Sequence, residues 1–177
     1  DMCGIESKPS IYHLGYVIGP RINAGGRVGK SSHGAELLIS NDSKRIFEIA
    51  KDLENYNSER KEIEKKVLEK VDLIAQENLD NPILILEGDD WHEGIIGIVA
   101  ARIKEKYNKP TIIISITGQV GKGSARSVFG FDIGAVIISA VQSGILLKGG
   151  GHKMAGGFTL NKEKIDVLKE FFTQKYL

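Results

Sequence analysis

Leu146-Leu147-Lys148-Gly149-Gly150-Gly151-His152-Lys153-Met154-Ala155-Gly156-Gly157-Phe158-Thr159-Leu160 is the stretch around which the rest of the chain arranges itself. Three glycines precede one histidine and two more precede an alternating apolar run, so bare backbone N–H groups surround a single imidazole. Glycine admits positive φ and close ligand approach, and successive N–H groups in such a turn form a concave nest that receives anions. His152 adds a donor or a proton. Taken alone, the same glycines suit a tight helix-to-strand turn carrying a surface histidine. The choice rests on what lies elsewhere in the chain.

Upstream, Asp132 caps a helix running to about residue 142, and ahead of it Gly121-Lys122-Gly123-Ser124-Ala125-Arg126-Ser127 leads into Val128-Phe129. Strand alternation puts Ser124, Arg126 and Val128 on one face. A hydroxyl beside a guanidinium suits a phosphate clamp, or an ordinary edge strand with an exposed arginine. Pro110 opens Thr111-Ile112-Ile113-Ile114-Ser115-Ile116, a β-branched run of central-strand composition. Residues 83–87, Ile-Leu-Ile-Leu-Glu, form another short buried strand after Asn81-Pro82. Asp89, Asp90, His92 and Glu93 then precede a helix over 95–107 that carries Arg102. They have the composition of metal ligands, but acidic residues at a helix start cap free N–H groups and complement the dipole, and that reading is preferred. Downstream come a strand over 157–160 and an amphipathic helix over 165–176. The expected class is α/β, with a compact mixed-sheet βαββαβα domain over 81–177. In it two Gly-rich loops, one with Ser124 and Arg126 and one with Gly150, Gly151 and His152, sit at element ends.

Farther out, Asn41-Asp42-Ser43 signals a helix start, and 44–78 is helical in pattern without Gly or Pro. Ile46, Ile49, Leu53, Tyr56, Ile63, Val67, Val71 and Ile74 fall at spacings of three and four, one apolar stripe. Arg60 stands where the stripe should continue, with Asn57 a turn before it. At 1.5 Å per residue such a helix runs about 50 Å, the length of a connector between domains. The expected organisation is therefore 1–41, a connector over 42–80, and the domain over 81–177. Arg60 is either a snorkelling side chain or part of a bare section facing a cleft. In the first portion Pro20 stops a short apolar element, and Arg21, Asn23 and Arg27 follow among small residues in a Gly-punctuated loop, free to fork onto phosphate oxygens or simply solvated. Residues 33–40 read as a short helix.

Composition adds exclusions. The 177 residues include one cysteine, Cys3, which leaves no internal disulfide framework and no cysteine-based zinc site. No apolar run approaches a bilayer span and no secretion signal is visible, so a cytoplasmic location with no membrane partner is expected. A net charge of +1 argues against a globally basic nucleic-acid binder. The charge is uneven, with 12 Lys and Arg against 9 Asp and Glu from Pro82 onward and 12 against 14 before it. The C-terminal part is thus the expected anion-binding half. The start at Asp1-Met2-Cys3 suggests a piece of a longer protein.

Four ordered motifs carry a family resemblance. The segment from Gly149 to Phe158, Gly123-Ser124-Ala125-Arg126-Ser127, and His92-Glu93-Gly94-Ile95-Ile96-Gly97-Ile98-Val99-Ala100-Ala101-Arg102 resemble the DHH-associated domain of the DHH phosphoesterases. Gly19-Pro20-Arg21-Ile22-Asn23-Ala24-Gly25-Gly26-Arg27-Val28 ahead of a long helix narrows this to the RecJ-type single-strand-specific exonucleases. The resemblance implies a two-lobed enzyme, whose DHH lobe holds two divalent ions, Mn²⁺ or Mg²⁺, through clustered Asp and His, and whose second lobe binds the strand. It implies that Ser124, Arg126, Gly150, Gly151 and His152 hold phosphates near the scissile bond, helped by Arg27 and Arg102. Asn57, Arg60, Arg21 and Asn23 would line the cleft for single-stranded DNA. It also implies 5′-to-3′ hydrolysis by two-metal catalysis, in DNA repair and recombination, with a single-strand-binding protein as a further candidate partner.

The chain departs from that pattern in having no Asp-His-His triplet, and its four histidines, His13, His33, His92 and His152, are dispersed. Two-metal hydrolysis needs carboxylates and imidazoles that hold both ions about 3.5–4 Å apart. The expectation is therefore the C-terminal, substrate-binding portion of such a nuclease. Residues 1–41 are read as a remnant of the catalytic domain, with no catalytic or metal-ligating residue and no activity alone. Two alternatives stay open: a DHH phosphoesterase of short oligoribonucleotides or dinucleotides, and a non-catalytic nucleic-acid-binding module.

Overall fold

The computed structural model describes residues 3–6 and 8–176. It divides into two compact units, Asp1–Ile63 and Glu64–Leu177. The division falls within one helix.

In the first unit a π-helical stretch, His13–Ile18, runs straight into α1 (Gly19–Val28), followed by α2 (His33–Ile39) and the start of α3 (Ser43–Glu77). The Gly-Pro-Arg-Ile-Asn segment is thus helix, which corrects the expected loop. Pro20 lies in the first two positions of α1, where a missing N–H and a fixed φ cost least, and Gly19 N–H bonds to Leu14 O in the wider turn before it. The glycines serve packing: a methyl added at Gly25 would stand 2.5 Å from Lys30 O and 3.3 Å from Leu53. The helix start expected at Asn41-Asp42-Ser43 is present, with Asp42 Oδ1 accepting from Lys44 N (3.0 Å) and Arg45 N (3.3 Å). The apolar stripe of α3 is buried at Ile49, Leu53, Val67 and Val71.

The second unit holds a five-stranded sheet of order β1-β2-β3-β5-β4. Its elements are β1 (Leu84–Asp89), α4 (Glu93–Tyr107), β2 (Thr111–Thr117), β3 (Val120–Arg126), α5 (Ile133–Gln142), β4 (Lys148–His152), β5 (Ala155–Asn161) and α6 (Ile165–Tyr176). β1 and β2 are parallel and the other pairs antiparallel. The mixed α/β class stands, with one strand more than expected. Gly149, Gly150, Gly151 and His152 lie in β4, and Gly121 to Arg126 in β3, so the two presumed loops are strands flanking β5. Glycine is poor in strands, which is why both stretches read as turns. Val128 and Phe129 fall beyond the end of β3 rather than on its exposed face.

β2 is buried on both sides, with Ile112, Ile113 and Ile114 inaccessible, as befits a strand inside the sheet. On one side Ile112, Ile114, Ala125, Ile137, Phe158, Leu160, Leu168 and Phe172 form the main core. On the other side α4 packs on β2 and β3. The loop before α4 differs in detail from expectation, because the cap is His92, whose Nδ1 accepts from Gly94 N (3.1 Å). The acidic residues instead meet cations, Glu93 with Lys122 and Asp89 with Lys162 at 3.7 Å. Asp72 of α3 accepts from Lys106 Nζ (2.8 and 2.7 Å) and from Tyr107 Oη (2.8 Å), tying α4 to that helix. These donors, the Lys106 ammonium first, hold the Asp72 carboxyl below its usual range against the opposing effect of burial.

Candidate functional site

Register decides which residues share a face. Arg126 pairs with Ala155 and Ala155 with His152; Ser124 pairs with Gly157 and Gly157 with Gly150. Paired residues point the same way, so Arg126, Ser124, His152, Gly157 and Gly150 occupy one face, in two rows across β3, β5 and β4. Neighbouring strands lie about 4.8 Å apart, which sets Arg126 and His152 roughly 9.6 Å apart at the backbone, one on each side of Ala155. Arg126 Nη1 donates to Ser124 Oγ (3.2 Å) and to Ala125 O (2.8 Å), so the hydroxyl and guanidinium act as one unit. His152 Nδ1 accepts from Met154 N (3.2 Å). In the neutral ring the proton then lies on Nε2, a donor facing away from the hairpin.

The expected anion nest is thus replaced by a flat sheet with bare backbone between two donors. Gly151 belongs to the other face. It pairs with Gly156, and a methyl there would stand 2.4 Å from Ala155 O and 2.6 Å from Gly156 Cα, so its glycine is a packing requirement. Two residues that sequence reasoning passed over complete the site. Gly97 on α4 lets that helix close over the pair, since an added methyl would lie 2.9 Å from Arg126 Nη2 and 3.0 Å from Ser124 Oγ. Gly157 keeps the middle of the floor bare. The signal for Gly97 was available in the sequence, because glycine inside a helix costs about 1 kcal/mol relative to alanine and calls for a reason.

Arg102 lies five residues after Gly97, about 140° around α4, so the helix turns it away from Ser124 and Arg126. It pairs with Glu64 at 3.6 Å and Glu105 at 4.0 Å. In the first unit Arg21 pairs with Glu54 and donates to Val17 O at 2.7 Å. Asn23 and Arg27 are exposed, four residues apart on α1, and therefore on one side of it. Asn57 is fully buried with Oδ1 accepting from Arg60 Nη2 (3.1 Å), so Asn57 orients Arg60 rather than presenting itself. Among the described residues no three His, Cys, Asp or Glu side chains gather where they could hold a metal ion. Among the same residues no helix is long and apolar enough to cross a membrane.

The domain is thus an α/β domain whose mixed sheet carries a guanidinium, a hydroxyl and an imidazole on one face. The DHHA1 domain family matches residues 80–176, more than half of the chain, and the chain belongs to that family. Over 171 residues it is 37% identical to the single-stranded-DNA-specific exonuclease RecJ of Haemophilus influenzae, which takes in 91% of this chain and 29% of that protein. The crystal structure of Thermus thermophilus RecJ with Mn²⁺ matches with a TM-score of 0.86 at 27% identity, over 97% of this chain and 25% of the other. Exonuclease RecJ bound to manganese matches with a TM-score of 0.83 at 27% identity, over 99% and 43%. The chain therefore spans about three-tenths of the length of the Haemophilus relative. The resemblance carried by the motifs holds for family and fold.

Proposed function

We propose that this chain is the strand-holding portion of a RecJ-type single-strand-specific DNA exonuclease, and that the Ser124, Arg126 and His152 face grips phosphates beside the scissile bond. One observation carries the reading: three side chains suited to a phosphate share one face, the half-buried Ser124 and Arg126 beside α4 and the exposed His152 on β4, with bare backbone between them. Arg126, oriented by Ser124, supplies a charged fork to two phosphate oxygens, and His152 Nε2–H supplies a neutral donor from the far side of the floor.

The divalent ions seen with the solved relatives would be held by residues outside this chain and would supply the activated water. On this reading the chain alone does not hydrolyse DNA, and its place in 5′-to-3′ degradation, repair and recombination belongs to a longer protein. Arg27, with Asn23 and Arg60 of the same unit, would add further contacts to the strand. The test is the affinity of a fluorescent single-stranded oligonucleotide at several salt concentrations. Binding should weaken with salt, and Arg126→Ala with His152→Ala should lower affinity by about 2 kcal/mol, near thirtyfold. An unchanged affinity in that double variant overturns the site. Mn²⁺-dependent hydrolysis by the chain alone overturns the view that it lacks a catalytic centre.

A further inference from the structure

The face that carries Arg126 and His152 continues for two more rows. Next comes Ser124–Gly157–Gly150, and beyond it Lys122 pairs with Thr159 and Thr159 with Lys148. Two lysines thus stand on either side of a threonine, four residues from Arg126 and His152 along β3 and β4. At about 3.3 Å per residue the two cationic rows are roughly 13 Å apart. Between them the floor is bare. A methyl added at Gly150 would meet nothing within 4 Å, and one at Gly157 only Gly123 O at 3.5 Å. A groove of about 440 Å³ runs there, lined by Lys148, Gly150, Gly157 and Thr159 among others.

We propose that Lys122 and Lys148 form a second phosphate subsite that takes a phosphodiester more than one nucleotide away from the one held by Arg126 and His152. The proposal rests on the strand-binding reading of this face and sharpens its substrate class to a polymer rather than a dinucleotide. Neighbouring phosphates of a strand are separated by six backbone bonds and cannot lie roughly 13 Å apart, so a dinucleotide reaches one cationic row and a longer strand reaches both. Thr159 Oγ1, between the lysines, is a hydroxyl that can donate to the same phosphate. The two lysines are not equal. Lys122 is ion-paired with Glu93, which offsets its charge. Lys148 is exposed and forms no ion pair among the described residues, so it supplies most of the attraction.

The experiment compares a 5′-phosphorylated dithymidylate with an octathymidylate, binding each to the chain with the natural residues, to Lys122→Ala/Lys148→Ala, and to Arg126→Ala/His152→Ala. The natural chain should bind the octamer more tightly than the dimer. Losing both lysines should weaken the octamer several-fold, flatten its salt dependence by about 0.7 in log–log slope, as for one phosphate no longer neutralised, and leave the dimer unchanged. Lys148→Arg should retain octamer affinity, and an unshifted thermal midpoint in the alanine variant excludes unfolding. Octamer affinity and slope unchanged by the lysine pair overturns the second subsite, and so does equal binding of the two probes by the natural chain. If the lysine pair has no effect while Arg126→Ala/His152→Ala weakens both probes, the subsite fails and the strand-holding reading survives. If Arg126→Ala/His152→Ala weakens neither probe, the reading beneath it fails too.

Discussion

On the face of β3, β5 and β4 that meets α5, a methyl added at Gly156 would stand 2.4 Å from Ile137 Cδ1 and 2.9 Å from Gly150 O, and one at Gly149 would stand 2.8 Å from Ile137 Cγ2. On the opposite face the same atom added at Gly150 meets open space. The residues differ by one position in the same strand, or lie side by side in the next, and their glycines answer to different demands. Towards α5, glycine is what allows a helix to lie close on a sheet. Away from it, neither packing nor a positive φ asks for glycine at 150, and on the proposed reading the bare floor leaves room for a strand.

The largest test of that contrast is Gly156→Ala. It forces a methyl into Ile137 and a backbone carbonyl in a region with no slack, and overpacking of this kind costs typically 1–3 kcal/mol. A loss of about 3 kcal/mol in chemical denaturation is expected. A loss below roughly 0.5 kcal/mol would show that α5 can move away, and the packing account of that face would go. Next in size is the thirtyfold loss of strand affinity expected for the Arg126 and His152 double variant; His152 is exposed and Arg126 half-buried, so its loss of stability should stay below that of Gly156→Ala. The two variants together separate a face that holds the fold from a face that holds a ligand.

The helices that cover the sheet are legible from periodicity, and so are the apolar strands β1 and β2, because Ile and Leu runs declare themselves. The start of α3 was marked by its cap, and its stripe by spacings of three and four. What misled was glycine and proline. Gly149 to His152 and Gly121 to Arg126 read as loops because intrinsic propensity disfavours strands there, and the packing that asks for glycine, Ile137 against Gly149, Leu160 against Gly121 and Phe158 against Gly123, is set by tertiary contact. Pro20 read as a stop, whereas a helix accepts proline in its first turn. Of the site, Ser124 and Arg126 followed from simple alternation. His152 beside them depends on strand order β3-β5-β4, which no local pattern specifies, and the same order turns Gly151, expected among the phosphate-holding residues of a loop, to the α5 side.

A third prediction concerns how the helices over the two faces are held. α5 lies on its face through Ile137 and neighbouring apolar groups, while α4 is tied in addition by the charged Asp72 contacts with Lys106 and Tyr107. Acid should therefore loosen the α4 side first. The native carboxyl of Asp72 titrates below its ordinary value of about 3.9, so its stabilisation is complete above that value and is lost as pH falls through the lowered one. Because Lys106 is about half exposed, the contribution is discounted to about 1 kcal/mol. Asp72→Asn should thus be less stable than the natural chain by that amount at pH 7, with the gap closing below pH 4 in urea titrations. A gap that stays constant into acid would mean that the Asp72 charge does not matter and that α4, like α5, is held by packing alone.

The smallest expected effect is the most telling, because it is a near-absence of change on one axis and a loss on the other. Gly150→Ala adds its methyl to open space in a strand with negative φ, so no strain arises, and the unfolded chain loses some freedom. Stability should stay within about 0.5 kcal/mol of the natural chain, or rise slightly, in the same denaturation experiment that exposes Gly156→Ala. Octathymidylate affinity should fall all the same, since the methyl stands on the floor between the Arg126 row and the Lys122 row, where the strand is to pass. Were Gly150→Ala to unfold the chain, the glycine would be a packing requirement like Gly156, and the two faces would not differ. Were it to leave both stability and octamer binding intact, the bare floor would not be a path for the strand, and glycine at 150 would need another explanation.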